Sequence, residues 1–236
     1  MKIIKIKKYT SGCGKLDELL GGGFESGTVT QLFGEAGSGK TNICLQLAIE
    51  TVKSGKKVIF VDSEGFSAER FKQIAGDDAK KLAEGIIIYE PMDFEQQYSA
   101  IKDMEKVLNE NIGVIILDSA TLFYRAELVP NSQISRYDYG RGIVPIRELA
   151  GQVAHLLVLA RKYDVAAIIT NQVYTNIDDN QFHPLGGNMM EHLSKNIIQL
   201  EKIKNGRRRA SIRKHRSQPE GISCEFVLTR DGVKDI

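Results

Sequence analysis

Hydrophobic residues occur along the chain in short continuous runs that alternate with longer amphipathic stretches. The continuous runs lie at 28–33, 56–62, 85–90, 114–118 and 165–170. Runs of this kind are typical of parallel strands that are buried on both faces of a sheet. The amphipathic stretches, which predict helices, lie at 41–55, 67–83, 93–111 and 141–163. This alternation predicts an α/β fold whose mostly parallel, twisted sheet is flanked by helices.

The pattern changes after Leu185. The segments NIIQLEKI, RRASIRKH and CEFVLTRDGVKDI predict successive strands with polar turns, arranged as antiparallel strands at one end of the sheet. The weakest patterns lie at 119–140 and 173–191, where we predict mobile loops. The sequence contains no internal repeat and no low-complexity linker. We therefore expect a single domain over residues 1–236, with a short basic extension at 1–10.

Composition favours a globular protein without a membrane anchor. Hydrophobic residues make up 42% of the 236 residues, which is enough to form a core. No apolar run in the sequence reaches the ~18 residues that a membrane-spanning helix needs. The N-terminus lacks the long apolar stretch of a secretory signal, and the three scattered cysteines indicate reduced thiols. We expect a cytoplasmic protein that does not bind membranes.

The charge is distributed unevenly, although the net charge is only +2. The first sixteen residues carry five lysines and no acidic residue. Residues 202–219 carry eight Lys and Arg residues and no Asp or Glu. Between these ends, residues 17–201 carry 17 basic and 26 acidic side chains, a net charge of −9. Two basic ends on an acidic body favour a polyanionic partner.

The stretch GEAGSGKT at 34–41 fits the pattern G-x-x-x-x-G-K-[ST]. Its glycines let the backbone curl so that N–H groups point at phosphate oxygens, and the following helix adds the positive end of its dipole. Lys40 is expected to reach the β- and γ-phosphates, and the Thr41 hydroxyl to bind Mg²⁺. The pattern therefore predicts a site for a nucleoside triphosphate. The predicted contact residues are Gly34, Glu35, Ala36, Gly37, Ser38, Gly39, Lys40, Thr41 and Asn42.

Three polar residues follow predicted strands and are candidates for the same site. Asp118 ends the run VIILD, where a carboxylate can hold the water shell of Mg²⁺. Glu64, in VDSEG, is placed to orient or deprotonate an attacking water, although a helix cap or a solvated acid is the alternative. Gln172, in ITNQV, is placed to sense the γ-phosphate, with a plain polar turn as the alternative.

A set of motifs in a fixed order resembles the core of the RecA/RadA recombinase family. They are SGCGKLDELLGGGFESGTVTQLFGEAGSGKT, VDSEGFSAER, LDSATLFYRAE, ITNQV and LGGN, and the resemblance runs from about Ser11 to the C-terminus. It implies a RecA-type P-loop ATPase core with antiparallel C-terminal strands, a Mg-ATP site and a role in homologous recombination. It also implies that Glu64 activates water, that Arg70 stacks on adenine, and that the loops after Asp118 and Gln172 approach DNA.

The sequence also departs from the full recombinases. It begins almost at the core, so we expect neither their N-terminal helical DNA-binding domain nor their Phe-x-x-Ala polymerisation peptide. The segment after Gln172 is short, 119–140 is extended, and RKHRSQPEG differs from the usual acidic and proline-containing cap. This combination resembles the RadB family of archaeal RadA paralogues. The resemblance implies feeble ATP hydrolysis, DNA binding, partnership with a RadA recombinase and no strand exchange.

The basic segment near the C-terminus has two functional interpretations. As a DNA-binding patch it would neutralise phosphates without distinguishing bases, whether the DNA is single-stranded or branched. As a trans-acting element it would present Lys214 or Arg216 to the ATP of a neighbouring copy, in the manner of an arginine finger. A solvated hairpin face is the third alternative. The candidate DNA contacts in this segment are Arg207, Arg208, Arg209 and Arg213.

The segment after Asp118 interleaves aromatic residues with cations. Such a composition suits stacking on single-stranded bases, while core packing or contact with a partner remains open. The residues are Tyr124, Tyr137 and Tyr139 with the candidate DNA contacts Arg125, Arg136 and Arg141.

The sequence supports three functions in order of preference. The first is an ATP-controlled, DNA-binding accessory protein of recombination with weak ATPase activity. The second is an active strand-exchange recombinase, and the third is a KaiC-like P-loop switch that binds protein partners and no DNA. Homodimerisation is left open.

Overall fold

A computed structural model describes residues 6–128, 143–175 and 182–236. The strands, in chain order, are β1 (Lys8–Tyr9), β2 (Phe24–Glu25), β3 (Val29–Gly34), β4 (Lys57–Asp62), β5 (Ile86–Tyr89), β6 (Ile112–Asp118), β7 (Ala166–Asn171), β8 (Val173–Thr175), β9 (Phe182–Pro184), β10 (Asn196–Lys202), β11 (Arg207–Lys214), β12 (Ser223–Thr229) and β13 (Gly232–Asp235). The helices are α1 (Gly14–Leu19), α2 (Lys40–Lys53), α3 (Ala68–Ala75), α4 (Ala79–Ala83), α5 (Phe94–Asp103), α6 (Leu122–Glu127), α7 (Ile143–Tyr163) and α8 (Gly187–Leu193).

Nine of these strands form the central sheet, in the order β13-β12-β11-β10-β3-β7-β6-β4-β5. The six strands from β10 to β5 in this order run parallel, an arrangement that requires crossover connections between them. Strands β10 to β13 pair antiparallel at the other end. The predicted fold is therefore confirmed, including the antiparallel C-terminal strands.

Each face of the sheet has its own hydrophobic core. Helix α2 contributes Ile43, Leu47 and other buried residues to one core, which continues under the C-terminal strands through Ile212 and Phe226. Helices α5 and α7 cover the opposite face of the central strands. Because both faces of β3, β6 and β7 are covered, all residues of these strands are buried. This double burial explains the continuous apolar runs in the sequence.

Two predicted helices are shorter or more broken than the sequence indicates. The stretch 67–83 is divided at Gly76, whose φ of 65° lies in the left-handed region, and a 3₁₀ turn at Gly76–Asp78 separates α3 from α4. The stretch 93–111 is helical only to Asp103 and continues as the 3₁₀ turn Met104–Lys106. In both cases the amphipathic pattern continues after the regular α-helix has ended.

The two segments predicted as loops contain regular structure, so that prediction is wrong for their described residues. Helix α6 lies within 119–140, β8 and β9 lie within 173–191, and α8 begins in that segment and ends at Leu193. In the second segment, Leu185 is held at the end of the sheet by hydrogen bonds from Asn171 Nδ2 to Leu185 O (2.7 Å) and from Leu185 N to Gln172 O (3.1 Å). These short elements depend on contacts that a local pattern does not reveal.

The C-terminus closes onto the first helix. Asp235 accepts hydrogen bonds from the backbone N–H groups of Gly14 (3.0 Å) and Lys15 (2.8 Å) at the start of α1. These contacts, together with the Cys13 thiol that also donates to Asp235, lower the pKa of the Asp235 carboxyl. The negative charge of Asp235 therefore stabilises the start of α1.

The three cysteines are free thiols, as the sequence predicts. Burial, together with the neighbouring Asp235, raises the pKa of Cys13 to about 12 and that of Cys224 to about 11. Both thiols are therefore protonated and weakly nucleophilic at neutral pH. Within the described ranges, no helix combines the length and the apolar character required to cross a membrane.

Candidate nucleotide-binding site

The phosphate loop joins the end of β3 to the start of α2. A side chain at Gly34 would collide with the carbonyl oxygen of Leu200 on β10, so the loop can approach the sheet only with glycine there. Gly37 and Gly39 have φ angles of 74° and 109°, which favour glycine. Gly39 immediately precedes α2, so the unpaired N–H groups of the first helical turn face the loop. This arrangement has the geometry of an anion-binding cradle, and phosphate contacts from the loop stay a prediction.

Lys40 extends back along the loop. Its ammonium group donates to the carbonyl oxygens of Gly34 (2.8 Å) and Glu35 (3.1 Å). Burial lowers the pKa of Lys40, while the nearby carboxylates of Glu64 and Asp118 act in the opposite direction. Phosphate oxygens would compete with these carbonyls for the same three N–H donors. The Lys40 ammonium group therefore lies at the phosphate loop, and its contact with phosphates stays a prediction.

Asp118 is buried at the end of β6, beside the phosphate loop. One carboxylate oxygen accepts a hydrogen bond from the Thr170 hydroxyl, and the other has no hydrogen-bond partner among the described residues. Burial raises the pKa of Asp118, whereas the hydroxyls of Thr170 and Thr41 act in the opposite direction. A buried carboxylate oxygen without a partner is costly unless a cation or a bound water satisfies it. The pair of Asp118 and Thr41 thus fits a Mg²⁺ ion with its water shell.

Glu64 and Gln172 meet across the cleft, although they lie far apart in the sequence. Gln172 Nε2 donates to Glu64 Oε1 at 3.1 Å, and Gln172 Oε1 accepts from Arg125 Nη1 at 3.3 Å. These three residues line a cavity of about 310 Å³ together with Lys40 and Thr41. The structure therefore brings the predicted base, the predicted sensor and the phosphate loop into one site.

Arg125 occupies a position that the sequence did not predict. We expected it in a loop that approaches DNA, whereas it lies on α6 and lines the wall of the nucleotide cleft. Tyr124, its neighbour, is only 7% exposed and packs in the core beneath α5 and α7. For Tyr124 the structure therefore supports core packing, one of the alternatives that the sequence left open, because its ring is buried. Arg136, Arg141, Tyr137 and Tyr139 lie outside the described residues.

A buried set of polar side chains behind Glu64 escaped the sequence analysis. Ser63 Oγ donates to Gln97 Oε1 (3.1 Å), and Gln97 Nε2 donates to Gln152 Oε1 (2.7 Å). Both glutamines are fully buried, on α5 and α7. Because the interior has a low dielectric, such satisfied amide bonds fix the geometry of the turn that carries Glu64. The sequence feature that could have revealed these residues is a glutamine on the otherwise apolar face of each of two helices.

Arg70 is held by hydrogen bonds along the edge of its planar guanidinium group. It donates to Asn42 Oδ1 (2.6 Å), to Gln73 Oε1 (3.0 Å) and to the carbonyl oxygens of Thr229 and Arg230 (both 2.7 Å). These bonds fix the group between α3 and the turn that joins β12 to β13. The structure does not test the stacking of adenine on Arg70, which stays a prediction. Asn42, another predicted contact residue, accepts one of these hydrogen bonds.

The basic segment of β11 contains no acidic residue, but an acidic residue of the neighbouring strand lies beside it. Strand β12 places Glu225 opposite Arg209. Its two carboxylate oxygens pair with Arg209 Nη2 (3.0 Å) and Arg207 Nη1 (3.6 Å). All three side chains are substantially exposed, so these ion pairs are weak and a phosphate could replace the glutamate.

The other cations of this segment also have partners within the chain. Arg208 Nε donates to the carbonyl oxygen of Gly37 in the phosphate loop (3.0 Å), so this arginine contacts the nucleotide site itself. Arg213 Nε donates to Gln199 Oε1 (2.7 Å), and Lys214 Nζ donates to the carbonyl oxygen of Glu191 (2.6 Å). Arg216 lies 4.0 Å from Glu25. Roles for these residues in binding DNA or a neighbour's ATP stay predictions.

Comparison with known proteins agrees with this geometry. A sequence model described as Rad51 matches residues 2–236. The "DNA repair and recombination protein RadB" of Methanococcoides burtonii is 60% identical, over 99% of this chain and 100% of that protein. The RadB protein of Methanoculleus marisnigri is 44% identical, over 99% of this chain and 100% of that protein. A solved structure, "Crystal structure of the RadB recombinase", matches with a TM-score of 0.81 and 34% identity, covering 97% of this chain and 99% of that one.

Proposed function

The chain belongs to the Rad51 family and to the RadB proteins within it, and on this premise we propose that it is an ATP-binding accessory protein of DNA repair and homologous recombination. In this proposal it binds DNA, hydrolyses ATP slowly and acts with a RadA-type recombinase without promoting strand exchange itself. The observation that carries the proposal is the cleft in which the phosphate loop, Glu64 and Gln172 meet.

The residues of the cleft support ATP binding with slow hydrolysis. Lys40 and the N–H groups of the loop would bind the phosphates, and Thr41 and Asp118 would hold Mg²⁺, which supplies charge neutralisation at the phosphate oxygens when it is bound. Glu64 orients and deprotonates the attacking water. Gln172 lies between the cleft and β8, because the residue after it begins that strand. It can therefore transmit the state of the nucleotide to the segment that follows.

We propose that the nucleotide serves as a state switch. In the recombinases that this chain resembles, fast turnover arises when a filament neighbour completes the site, and charge placed by a neighbour can raise the rate by orders of magnitude. A site that works without such a neighbour turns over slowly. Bound ATP can then change the affinity for DNA or a partner only as far as that affinity differs between the two states.

DNA binding without sequence preference is proposed for the exposed face of β11. Replacing Arg207 and Arg209 by glutamine should weaken the binding of all DNA sequences to the same extent. It should also reduce the slope of the logarithm of the binding constant against the logarithm of the salt concentration by about one unit for each lost phosphate contact. Arg208 is left in place because it contacts the phosphate loop. The measurement is the DNA affinity of the purified protein over a range of salt concentrations, with and without Mg-ATP.

The matched control removes two positive charges from helix α7 instead of from β11. Arg161 and Lys162 are exposed on α7, and Lys162 pairs with Glu105 at 2.8 Å, much as Arg209 pairs with Glu225. The double glutamine variant of α7 should keep the wild-type affinity and salt slope. If the β11 variant bound DNA as tightly as the wild type, this face of β11 would be excluded as a DNA-binding surface. A protein that binds no DNA at any salt concentration would instead support the KaiC-like switch.

A further inference from the structure

Three side chains from different parts of the chain form a hydrogen-bonded row across the mouth of the nucleotide cleft. Glu64 follows β4, Gln172 follows β7 and Arg125 lies on α6. The amide of Gln172 is in the middle, 3.1 Å from Glu64 Oε1 and 3.3 Å from Arg125 Nη1. Arg125 is an exposed side chain, so its charge costs little to maintain and its other N–H donors can reach the cleft.

The hydrogen-bonding chemistry of Glu64 and Arg125 determines the orientation of the Gln172 amide between them. A guanidinium group only donates hydrogen bonds, and an ionised carboxylate only accepts them. The Gln172 amide must therefore turn its oxygen to Arg125 and its NH₂ group to Glu64. Without Arg125, Glu64 would still attract the NH₂ group of Gln172, but no donor in this row would hold the amide oxygen in place. Donation from a cation also polarises the amide and strengthens its own donation to the carboxylate.

We propose that Arg125 is the positioning residue for Gln172, and that through this amide it lets the cleft distinguish a nucleoside triphosphate from a diphosphate. The inference rests on the proposed function, because it requires the cleft to bind nucleotides. The loop and Lys40 would contact phosphates that both ligands share, whereas Glu64 and Gln172 line the same cavity from elements outside the loop. A correctly turned amide beside a cation favours the additional anionic group of the triphosphate.

The test compares the affinities for Mg-ADP and for a non-hydrolysable Mg-ATP analogue by fluorescence titration. Arg125→Gln should reduce the affinity for the analogue about tenfold, the loss expected for one hydrogen bond that involves a charged group. The affinity for Mg-ADP should stay near that of the wild type, which also reports that the variant is folded. Arg125→Lys should retain part of the preference, because it keeps the charge but not the planar donor geometry. Arg161→Gln, an exposed arginine on α7, should change neither affinity.

A double variant shows whether Arg125 acts through the amide. If it does, Arg125→Gln combined with Gln172→Leu should bind the analogue as weakly as Gln172→Leu alone. Additive losses would overturn the positioning role and indicate direct contact with the phosphate. If Arg125→Gln kept the wild-type preference for the Mg-ATP analogue over Mg-ADP but bound DNA more weakly, the positioning role would be overturned, and Arg125 would be a DNA contact. A wild-type protein that binds both nucleotides equally would refute this inference alone, whereas one that binds neither would refute the proposed function as well.

Discussion

Replacing Glu64 by glutamine is expected to lower the rate of ATP hydrolysis by about 10²–10⁴-fold, the usual contribution of a general base. The affinity for Mg-ATP should change little, because the glutamine keeps the size of the side chain and Lys40 still holds the phosphates. Hydrolysis is best measured in single-turnover experiments with excess protein, since the wild-type rate is itself expected to be slow.

The control for this variant is Glu69→Gln, which removes an exposed carboxylate from the first turn of α3. It should hydrolyse ATP at the wild-type rate. If Glu64→Gln hydrolysed ATP as fast as Glu69→Gln, the base would have to be another group, and Glu64 would be a solvated acid that merely accepts a hydrogen bond from Gln172.

The second large effect is expected at Lys40. Its ammonium group is the one charged donor of the phosphate loop, and each hydrogen bond of such a group contributes about 1.5–3 kcal/mol. Lys40→Ala should therefore weaken the binding of Mg-ATP by about a hundredfold or more, which corresponds to about 2.7 kcal/mol or more. Equilibrium titration of a labelled nucleotide measures the loss.

Lys53→Ala is the matched control, because it removes a lysine from the last turn of the same helix. Lys53 pairs with Glu50 at 2.8 Å and is exposed, so its removal should leave nucleotide affinity unaltered. A folded Lys40→Ala variant that binds Mg-ATP as tightly as Lys53→Ala would contradict the placement of the nucleotide on this loop.

The parts of the fold that the sequence predicted are those buried on both faces. Strands such as β6 consist entirely of buried residues, so their positions are visible as continuous apolar runs. The carboxyl ends of parallel strands meet at one edge, which is why the residues following β4, β6 and β7 meet at one cleft. Asp118 and Glu64 can therefore be assigned to one site from the sequence alone.

The remaining features depend on pairings between distant parts of the chain. Glu225 meets Arg207 and Arg209 only because β12 turns back along β11 in a particular register. Leu185 is bonded through its backbone N–H to the carbonyl oxygen of Gln172, a pairing that a local pattern does not contain. Arg125 was assigned to a DNA-binding loop because of its aromatic and basic neighbours. The Arg125 side chain lines the cleft because of its position on α6. This helix is too short for its apolar pattern to be recognised in the sequence.

The most direct test of the central claim measures ATP turnover and joint-molecule formation by the purified protein alone, with and without single-stranded DNA. The proposed switch predicts turnover far below the ordinary enzyme median of about ten per second, with no joint molecules in either condition. Robust DNA-stimulated turnover together with strand exchange would contradict it and identify the protein as an active recombinase.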